Sequence, residues 1–178
     1  MKRKLLVALA SLASLCAADA AYAAPPLPTV ASVDLARYTG GWYEIALLPN
    51  WFQRACVADT KALYKADGDG IEVINRCRTA DGTIKTAEGR AKIVAGSANA
   101  KLRVSFFWPF YGDYWVLDLD ADYQQVLVGT PSRDYAWVLS RKPTMAEAEL
   151  QKLLDKAAAL GFDKAAFKRS PQTQPLAD

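Results

Sequence analysis

Short runs in which apolar and polar residues alternate occupy most of the chain after residue 40, and turn residues separate them. Alternation of this kind places every second side chain on one face, as in a half-buried β-strand. The runs cover residues 42–48, 58–66, 71–76, 84–94, 101–107, 114–119, 124–129 and 135–141. Short links join them in order, and eight antiparallel strands joined in this way predict an all-β fold. We expect an eight-stranded up-and-down antiparallel β-barrel with room for one small ligand.

A helical period replaces the alternation only after the last of these runs. Thr144 and Glu147 have the spacing of a capping box, and Gly161 is a typical helix stop. The apolar positions between them form a stripe at helical spacing: Leu150, Leu153, Leu154, Ala157 and Leu160. We therefore expect a C-terminal α-helix packed on the outside of the barrel.

The first 23 residues have the pattern of a secretory signal peptide. Three basic residues precede an apolar run at 5–16, and residues 21–23, Ala-Tyr-Ala, form a small-residue cleavage site. We divide the chain into a signal peptide (1–23), a linker (24–32), one folded domain (33–168) and a C-terminal tail (169–178), and expect a soluble periplasmic protein. The alternative is an outer-membrane lipoprotein anchored through Cys16, although the large Leu15 precedes this cysteine.

Charge and cysteine content restrict the partners and the kind of site. The chain has 22 basic and 19 acidic residues, and three of the basic ones are in the signal peptide. The remaining chain is therefore nearly neutral, which predicts no nucleic-acid partner. Cys56 and Cys77 flank a predicted hairpin whose turn is residues 67–70, so we expect a disulfide at its open end, with a bulge or with Cys56 just ahead of its strand. Zinc is the competing interpretation, but the chain has no histidine. We expect no metal and no cofactor.

Six sequence blocks follow one another along the domain: GGWYEI at 40–45, VIN at 73–75, EGRA at 88–91, VSFF at 104–107, PFYG at 109–112 and DYAWVLSR at 134–141. In this order they resemble those of the lipocalins. The chain is similar to bacterial lipocalins of the lysophospholipid- and fatty-acid-binding kind, close to the apolipoprotein D branch, and the resemblance covers nearly all of residues 33–168. One turn departs from the family pattern, since Leu119-Asp120-Ala121 stands where the family has Thr-Asp-Tyr.

The resemblance and the strand order together assign the two ends of the barrel. Gly40, Trp42 and Arg141 are the structural motif, with the Arg141 guanidinium lying across the Trp42 indole at the closed end. The loops after strands one, three, five and seven then meet at the open end. The aromatic stretch 105–115, SFFWPFYGDYW, falls there, and side chains from it stand with two from the first loop around the entrance: Trp108, Phe110, Tyr111, Trp51 and Phe52.

An apolar rim of this size indicates contact with a membrane or with a second copy in a homodimer. The alternative is that these aromatic side chains pack only against one another.

Strand alternation also selects the side chains that line the barrel. The candidate ligand-binding residues point inward and are mostly apolar, which suits an acyl chain. In related lipocalins the positions matching Tyr64, Asn75 and Trp137 contact ligand. On the sixth strand, Trp115, Leu117 and Leu119 form an equally regular face, so its orientation stays open. The full set is Tyr64, Asn75, Leu102, Val104, Phe106, Tyr114, Tyr135 and Trp137.

Two classes of function fit this arrangement. The first is a lipid-binding carrier or scavenger of fatty acids, lysophospholipids or similar hydrophobic small molecules; the second is an enzyme on the same barrel acting on a lipid. Glu44 and Asp118 would be its carboxylate pair, but a structural role for them fits better. Without histidine, and with both cysteines in a disulfide, the usual base and thiol nucleophile are missing, so we expect no catalytic residues. A pigment or haem ligand is a third alternative.

Overall fold

Eight strands follow one another along the chain and close into an antiparallel barrel. The computed structural model describes residues 26–177. Each strand pairs with the next, and β1 pairs with both β2 and β8, which closes the sheet and confirms the predicted fold class. The strands are β1 (Gly40–Leu47), β2 (Ala58–Asp67), β3 (Gly70–Arg78), β4 (Ile84–Ile93), β5 (Lys101–Phe107), β6 (Phe110–Leu119), β7 (Gln125–Gly129) and β8 (Ala136–Ser140).

Two helices and a short ninth strand complete the fold. Helix α1 (Leu35–Tyr38) precedes β1, helix α2 (Glu147–Ala159) follows β8, and β9 (Lys168–Arg169) pairs with the far end of β1 after a 3-10 turn at Lys164–Ala166. The apolar stripe of α2 packs against the outer face of the barrel, as predicted. Gly161, with φ of +90°, follows the helix at its C-terminal end, also as predicted.

The predicted capping box at the start of α2 is wrong. Ala146 occupies the N-cap position, and no side chain accepts a hydrogen bond from the first turn. The helix begins at Glu147, which is therefore the first helical residue and not the third, so its carboxylate cannot reach back as a capping box requires. The acidic residues Glu147 and Glu149 still favour this end through the helix dipole.

A bulge in β6 decides which of its faces points inward. Tyr114 and Val116 pack in the barrel interior, whereas Trp115 and Leu117 pack on the α2 side. The register shifts between Val116 and Asp118, which reverses the alternation after that point. The face that contains Tyr114 is thus the inner one, in agreement with its choice as a lining residue.

The sixth strand begins at Phe110 and not at 114 as the alternation predicts, whereas the fifth strand has its predicted bounds. Phe107 pairs with Phe110, so only Trp108 and Pro109 form the turn, and the longer connection that the predicted runs leave at 108–113 is wrong. Residues 110–112 belong to the sixth strand as far as the turn. Nothing in the sequence indicates this, because polar and apolar residues do not alternate there.

The disulfide is present between Cys56 and Cys77, whose Cα atoms are 5.5 Å apart. Cys56 lies just ahead of β2, and the register of β2 on β3 shifts between Ala58 and Lys61, so both expectations about the offset are confirmed. Within residues 26–177, no three His, Cys, Asp or Glu side chains group as metal ligands would. In the same range no helix has the length and apolar character needed to cross a membrane.

Candidate ligand-binding site

The closed end of the barrel is held by the predicted Trp42 and Arg141 pair. Trp42 is fully buried, and the Arg141 guanidinium carbon lies 3.9 Å from the centroid of its ring. The same guanidinium donates to the carbonyl oxygens of Gly41 (2.9 Å) and Tyr38 (3.1 Å), and so ties α1 and β1 to the end of β8. Gly40 has φ of +95°, and a Cβ there would lie 3.2 Å from Arg141 Nη1. These residues close the barrel and do not line the cavity.

Three tyrosine hydroxyls form the floor of the cavity, next to the Trp42 and Arg141 pair that closes the barrel. Tyr114 Oη lies 2.7 Å from Tyr38 Oη and accepts a hydrogen bond from Tyr64 Oη at 3.1 Å. Burial raises the pKa of Tyr64 to about 12 and raises the pKa of Tyr38 and of Tyr114 well above the usual value. The floor therefore carries uncharged phenols at neutral pH, and it bounds the apolar cavity from below.

Inward-facing side chains become more exposed from the floor to the mouth. On β4, Ala91 is buried, Gly89 is half-buried and Ala87 is exposed. The neighbouring strand follows the same order, since Val73, opposite Gly89, is buried and Asn75, opposite Ala87, is half-buried. The interior is thus filled at the closed end and open at the other, which is the shape of a cup.

The wall on the other side of β4 is formed by β5. Leu102 is buried, while Val104 and Phe106 are half-buried and pack against the interior cluster. A Cβ on Gly89 would lie 2.8 Å from Phe106 Cδ1, so the absence of a side chain there lets the Phe106 ring lie close to the wall. The missing side chain at Gly89 therefore makes room for the Phe106 ring.

A polar network supports the mouth side of the cavity. Trp137 Nε1 donates to Gln53 Oε1 at 2.9 Å, and Gln53 Nε2 donates to Glu44 Oε2 at 2.8 Å. Asn50 holds Gln53 by two hydrogen bonds, one to its side chain and one from its backbone N–H. Burial raises the pKa of Glu44, and hydrogen bonds from Ser170 and Gln53 oppose this effect. The network fixes the Trp137 indole against the wall.

Glu44 and Asp118 do not form a carboxylate pair. Glu44 is buried and faces the interior, where its oxygens accept from Gln53 and Ser170. Asp118 lies outside the barrel, 3.5 Å from Lys156 Nζ of α2, because the bulge in β6 turns it outward. The structural role expected for Glu44 fits its contacts, although its partners are uncharged.

The rim of the mouth carries exposed aromatic side chains at the β5–β6 turn and on the first loop. Phe107, Trp108 and Phe110 are 79%, 84% and 77% exposed, and Trp51 is 66% exposed. Phe52 packs beside two aromatic residues of the site, and its ring centroid lies 5.5 Å from that of Tyr135 and 6.4 Å from that of Trp137.

The prediction that Tyr111 lies at the entrance is wrong. Its ring lies below Lys92 and Arg103, at 5.2 Å and 5.6 Å from the charged groups. Arg103 points away from the lumen, since it lies between the inward-facing Leu102 and Val104 on β5. Tyr111 therefore packs on the outer face.

The family model of the lipocalin-like domain matches residues 33–172. The chain is a lipocalin. Outer membrane lipoprotein Blc of Escherichia coli is 40% identical over 146 residues, which is 80% of this chain and 82% of Blc. Temperature-induced lipocalin-1 of Arabidopsis thaliana is 40% identical over 156 residues, 83% of each chain. Bovine apolipoprotein D is 31% identical over 138 residues, 74% of this chain and 72% of that protein.

Solved lipocalin structures support the same fold. Insecticyanin from the tobacco hornworm Manduca sexta superposes with a TM-score of 0.70 at 22% identity, covering 85% of this chain and 87% of that one. Lobster apocrustacyanin A1 superposes with a TM-score of 0.64 at 16% identity, covering 84% and 92%. At these identities the likeness concerns the barrel alone.

In this lipocalin the predicted lining residues fall into three levels of one cavity. Tyr64 and Tyr114 belong to the floor, and Leu102 lies low in the wall. Asn75, Val104, Phe106 and Trp137 lie higher in the wall, and Tyr135 packs between Trp137 and Phe52 at the rim. Three further residues of the site were not predicted, because they lie in a loop and in the tail, where no alternation signals an inward direction: Asn50, Gln53 and Ser170.

Proposed function

We propose that this lipocalin binds fatty acids, lysophospholipids or similar hydrophobic small molecules in the barrel cavity, and so stores or transports them. The observation that supports the proposal most is the rise in exposure along the inward face of β4, from Ala91 to Ala87. A filled barrel would bury all three inward positions. An open apolar cup with a closed floor suits a single long chain that lies along the barrel axis.

The chemistry of the wall favours an amphiphile over a polar ligand. Val104, Phe106 and Trp137 supply apolar surface, and Asn75 is the polar side chain proposed to meet the ligand. With so few polar groups, affinity has to come from burial of apolar surface at roughly 25 cal/mol per Å². The acyl chain then occupies the wall region, with its polar end toward the rim.

A fluorescence titration with a fatty acid tests the proposal. Trp137→Ala is expected to raise the dissociation constant about tenfold or more, because it removes a large apolar side chain from the wall and frees Gln53. Trp108→Ala is the matched control, since it removes the same kind of side chain from the rim. Equal losses from both variants would mean that the rim folds into the site as a lid. No loss from Trp137→Ala would place the ligand elsewhere.

The exposed rim fits transient contact with a membrane surface, from which the ligand would be taken. Trp108 and Phe110 project at the mouth, and aromatic residues partition well into the membrane interface. Trp108→Ala/Phe110→Ala should slow transfer of a fatty acid from vesicles several-fold while the affinity for dispersed ligand is kept. A change in molecular mass with this variant, seen by light scattering, would instead assign the rim to a homodimer.

We propose a binding protein and not an enzyme. The chain has no histidine, and Cys56 and Cys77 are joined in a disulfide, so neither supplies a thiolate nucleophile. Glu44 is buried and accepts a hydrogen bond from Gln53. The carboxylate that would have to pair with it, Asp118, lies outside the barrel. Incubation with a lysophospholipid should return it unchanged; release of free fatty acid by the purified protein would contradict this.

For the location of the protein we propose export and release into the periplasm after cleavage behind Ala23. The signal peptide lies outside the described residues, as does Cys16 of the alternative lipoprotein anchor, and the relatives named outer membrane lipoprotein make that alternative worth testing. Mature protein beginning at Ala24 in the soluble periplasmic fraction is expected. An acylated N-terminal Cys16 in the outer membrane would overturn it.

A further inference from the structure

The barrel wall has a seam between β1 and β2. These strands pair directly only along Gly40–Tyr43, next to the closed end. Beyond that point the C-terminal half of β1 pairs with β8 on one side and with β9 on the other. The register of β2 on β3 also shifts near Ala58. The half of the seam that is nearer the mouth is therefore not closed by a direct β1–β2 ladder.

Residues 168–177, here called the C-terminal strap, fill this gap. Ser170 N donates to Ile45 O of β1 at 3.0 Å, and Asp59 N of β2 donates to Pro171 O at 2.8 Å. The Gln172 side-chain amide bridges both strands, donating to Glu44 O at 2.9 Å and to Thr60 O at 3.0 Å. Further along, the strap is held by Asp59, which accepts from the backbone N–H groups of Thr173 and Gln174. The strap thus replaces the missing ladder with a short series of single hydrogen bonds.

A surface cleft lies beside the strap and reaches the inner wall. It has a volume of about 240 Å³ and extends between the first loop and the strap as far as Glu44, whose carboxylate also belongs to the Gln53–Trp137 network of the cavity. Arg54 and Lys168 line it, with Leu47 and Val57 as apolar neighbours. At its inner end the Ser170 hydroxyl donates to Glu44, so the strap is one side of the passage. The strap, from Lys168 to Pro171, therefore lies along one side of this cleft, beside Glu44.

The key bridging residue also has an incomplete set of hydrogen bonds. Gln172 Oε1 is buried and has no hydrogen-bond partner among residues 26–177, although both donors of the same amide are used. An unmatched buried acceptor costs free energy relative to a solvated one. Opening the strap lets water reach this oxygen, which offsets part of the cost of breaking the two bonds across the seam.

We propose that the C-terminal strap is a lateral gate, and that a lipid enters and leaves the cavity through the seam between β1 and β2 when the strap lifts. This inference rests on the proposed function. A side passage lets an acyl chain slide into the cavity sideways along its length, while its polar end stays in the cleft near Arg54 and Lys168. The mouth then serves for contact with the lipid source.

Stopped-flow exchange of a fluorescent fatty acid tests the gate. Gln172→Ala removes both bonds across the seam, so it should raise the association and dissociation rate constants together, about tenfold. The dissociation constant should stay the same, because a gate changes the barrier and not the bound state. Gln174→Ala is the matched control: it bonds to Asp59 through its backbone N–H, which alanine retains.

A covalent lock provides the opposite test. Leu47 and Lys168 are directly paired across β1 and β9, so Leu47→Cys/Lys168→Cys can form a disulfide that holds the strap down. The oxidised variant should exchange ligand several-fold more slowly than Leu47→Ser/Lys168→Ser. Leu154→Ala in α2 controls for general destabilisation, since this side chain makes none of the hydrogen bonds across the seam.

Three outcomes would overturn the lateral gate while leaving the proposed function intact. The first is normal binding with unchanged exchange rates in both Gln172→Ala and the locked variant. The second is exchange in Leu154→Ala that is as fast as in Gln172→Ala. The third is a rise in only the association or only the dissociation rate constant of Gln172→Ala. Failure of the wild-type protein to bind any fatty acid or lysophospholipid would contradict the proposed function itself, and so the two are distinguishable.

Discussion

Arg141 joins three parts of the chain at the closed end of the barrel. It stacks on Trp42 and also donates to the carbonyl oxygens of Arg37 (2.7 Å) and Tyr123 (3.2 Å). A planar guanidinium can stack and donate in several directions at once, which an ammonium cannot. The family motif at this position is thus explained by the shape of the side chain as much as by its charge.

Arg141→Lys should lower the free energy of unfolding by about 2 kcal/mol, because it loses the stack and most of the bonds to carbonyl oxygens. Ligand affinity of the folded protein should be unchanged, since Arg141 lies below the cavity floor. Urea unfolding followed by a titration measures both. Unchanged stability in this variant would mean that the contacts at the closed end do not hold the barrel together.

Asp59 is a buried carboxylate that fixes the strap to the barrel. Burial acts to raise the pKa of Asp59, but hydrogen bonds from Arg78, Gln174 and Thr173 outweigh it and hold the pKa below the usual value. Its φ of 56° is left-handed, a conformation that Asp and Asn adopt more readily than most residues. Asn is therefore a substitution that keeps the backbone and removes the charge.

The lowered pKa of Asp59 predicts a pH dependence of stability. The folded state binds fewer protons than the unfolded state in this range, so the stabilisation is present above about pH 4 and is lost as the pH falls through the folded-state pKa. Asp59→Asn should be less stable than wild type at pH 7, by about 2 kcal/mol, and should lose less stability on acidification. Thermal melts from pH 7 to pH 3 compare the two; parallel curves would contradict the assignment.

Individual side chains could be predicted from the sequence wherever alternation is regular. Val104 and Trp137 point inward as their strands require, whereas Asp118 follows a bulge and points outward. Gln53 and Ser170 are not in the regular strands, and their positions depend on contacts with Glu44, which is far away in the sequence. Nothing local to either residue carries that information.

At the scale of elements, the β2–β3 hairpin shows what turn chemistry can determine. Asp67 pairs with Gly70, so Gly68 and Asp69 form the two-residue turn, and the register follows from there to the pair of Lys61 with Arg76. The end of the β5–β6 hairpin was harder to predict, because consecutive aromatic residues mask the alternation. The start of α2 was also missed, since Thr144 has the right residue type two positions before the real N-cap.

Reduction of the Cys56–Cys77 disulfide should lower the free energy of unfolding by about 3 kcal/mol without abolishing the fold. The bond closes a loop with a sequence separation of 21, and loops of this length stabilise mainly by restricting the unfolded chain. The β2–β3 ladder has many pairs besides the one at its open end, so the barrel should survive. Denaturant unfolding of oxidised and reduced protein measures the difference, and coincident curves would refute this account of the hairpin.

For the whole molecule, the order of strands determines where a ligand can go. Alternate connections lie at opposite ends of an up-and-down barrel, so a plug at the start of β1 leaves the loop after β1 at the mouth. The interior cluster is dense at the Trp42 end, and the exposed aromatic residues lie at the other. This much followed from the sequence; the strap did not, because a tail without periodicity gives no sign of its contacts.

The most direct test of the central claim is the position of a bound acyl chain. Isotope-filtered NOE spectroscopy, with a fatty acid carrying ¹³C in its terminal methyl group, reports which protein protons lie within about 5 Å of that methyl. The account predicts contacts with Leu102, Val104 and Tyr114, which form the lower part of the cavity. Contacts confined to Trp108 and Phe110 at the rim, or to Leu154 on α2, would contradict binding inside the barrel.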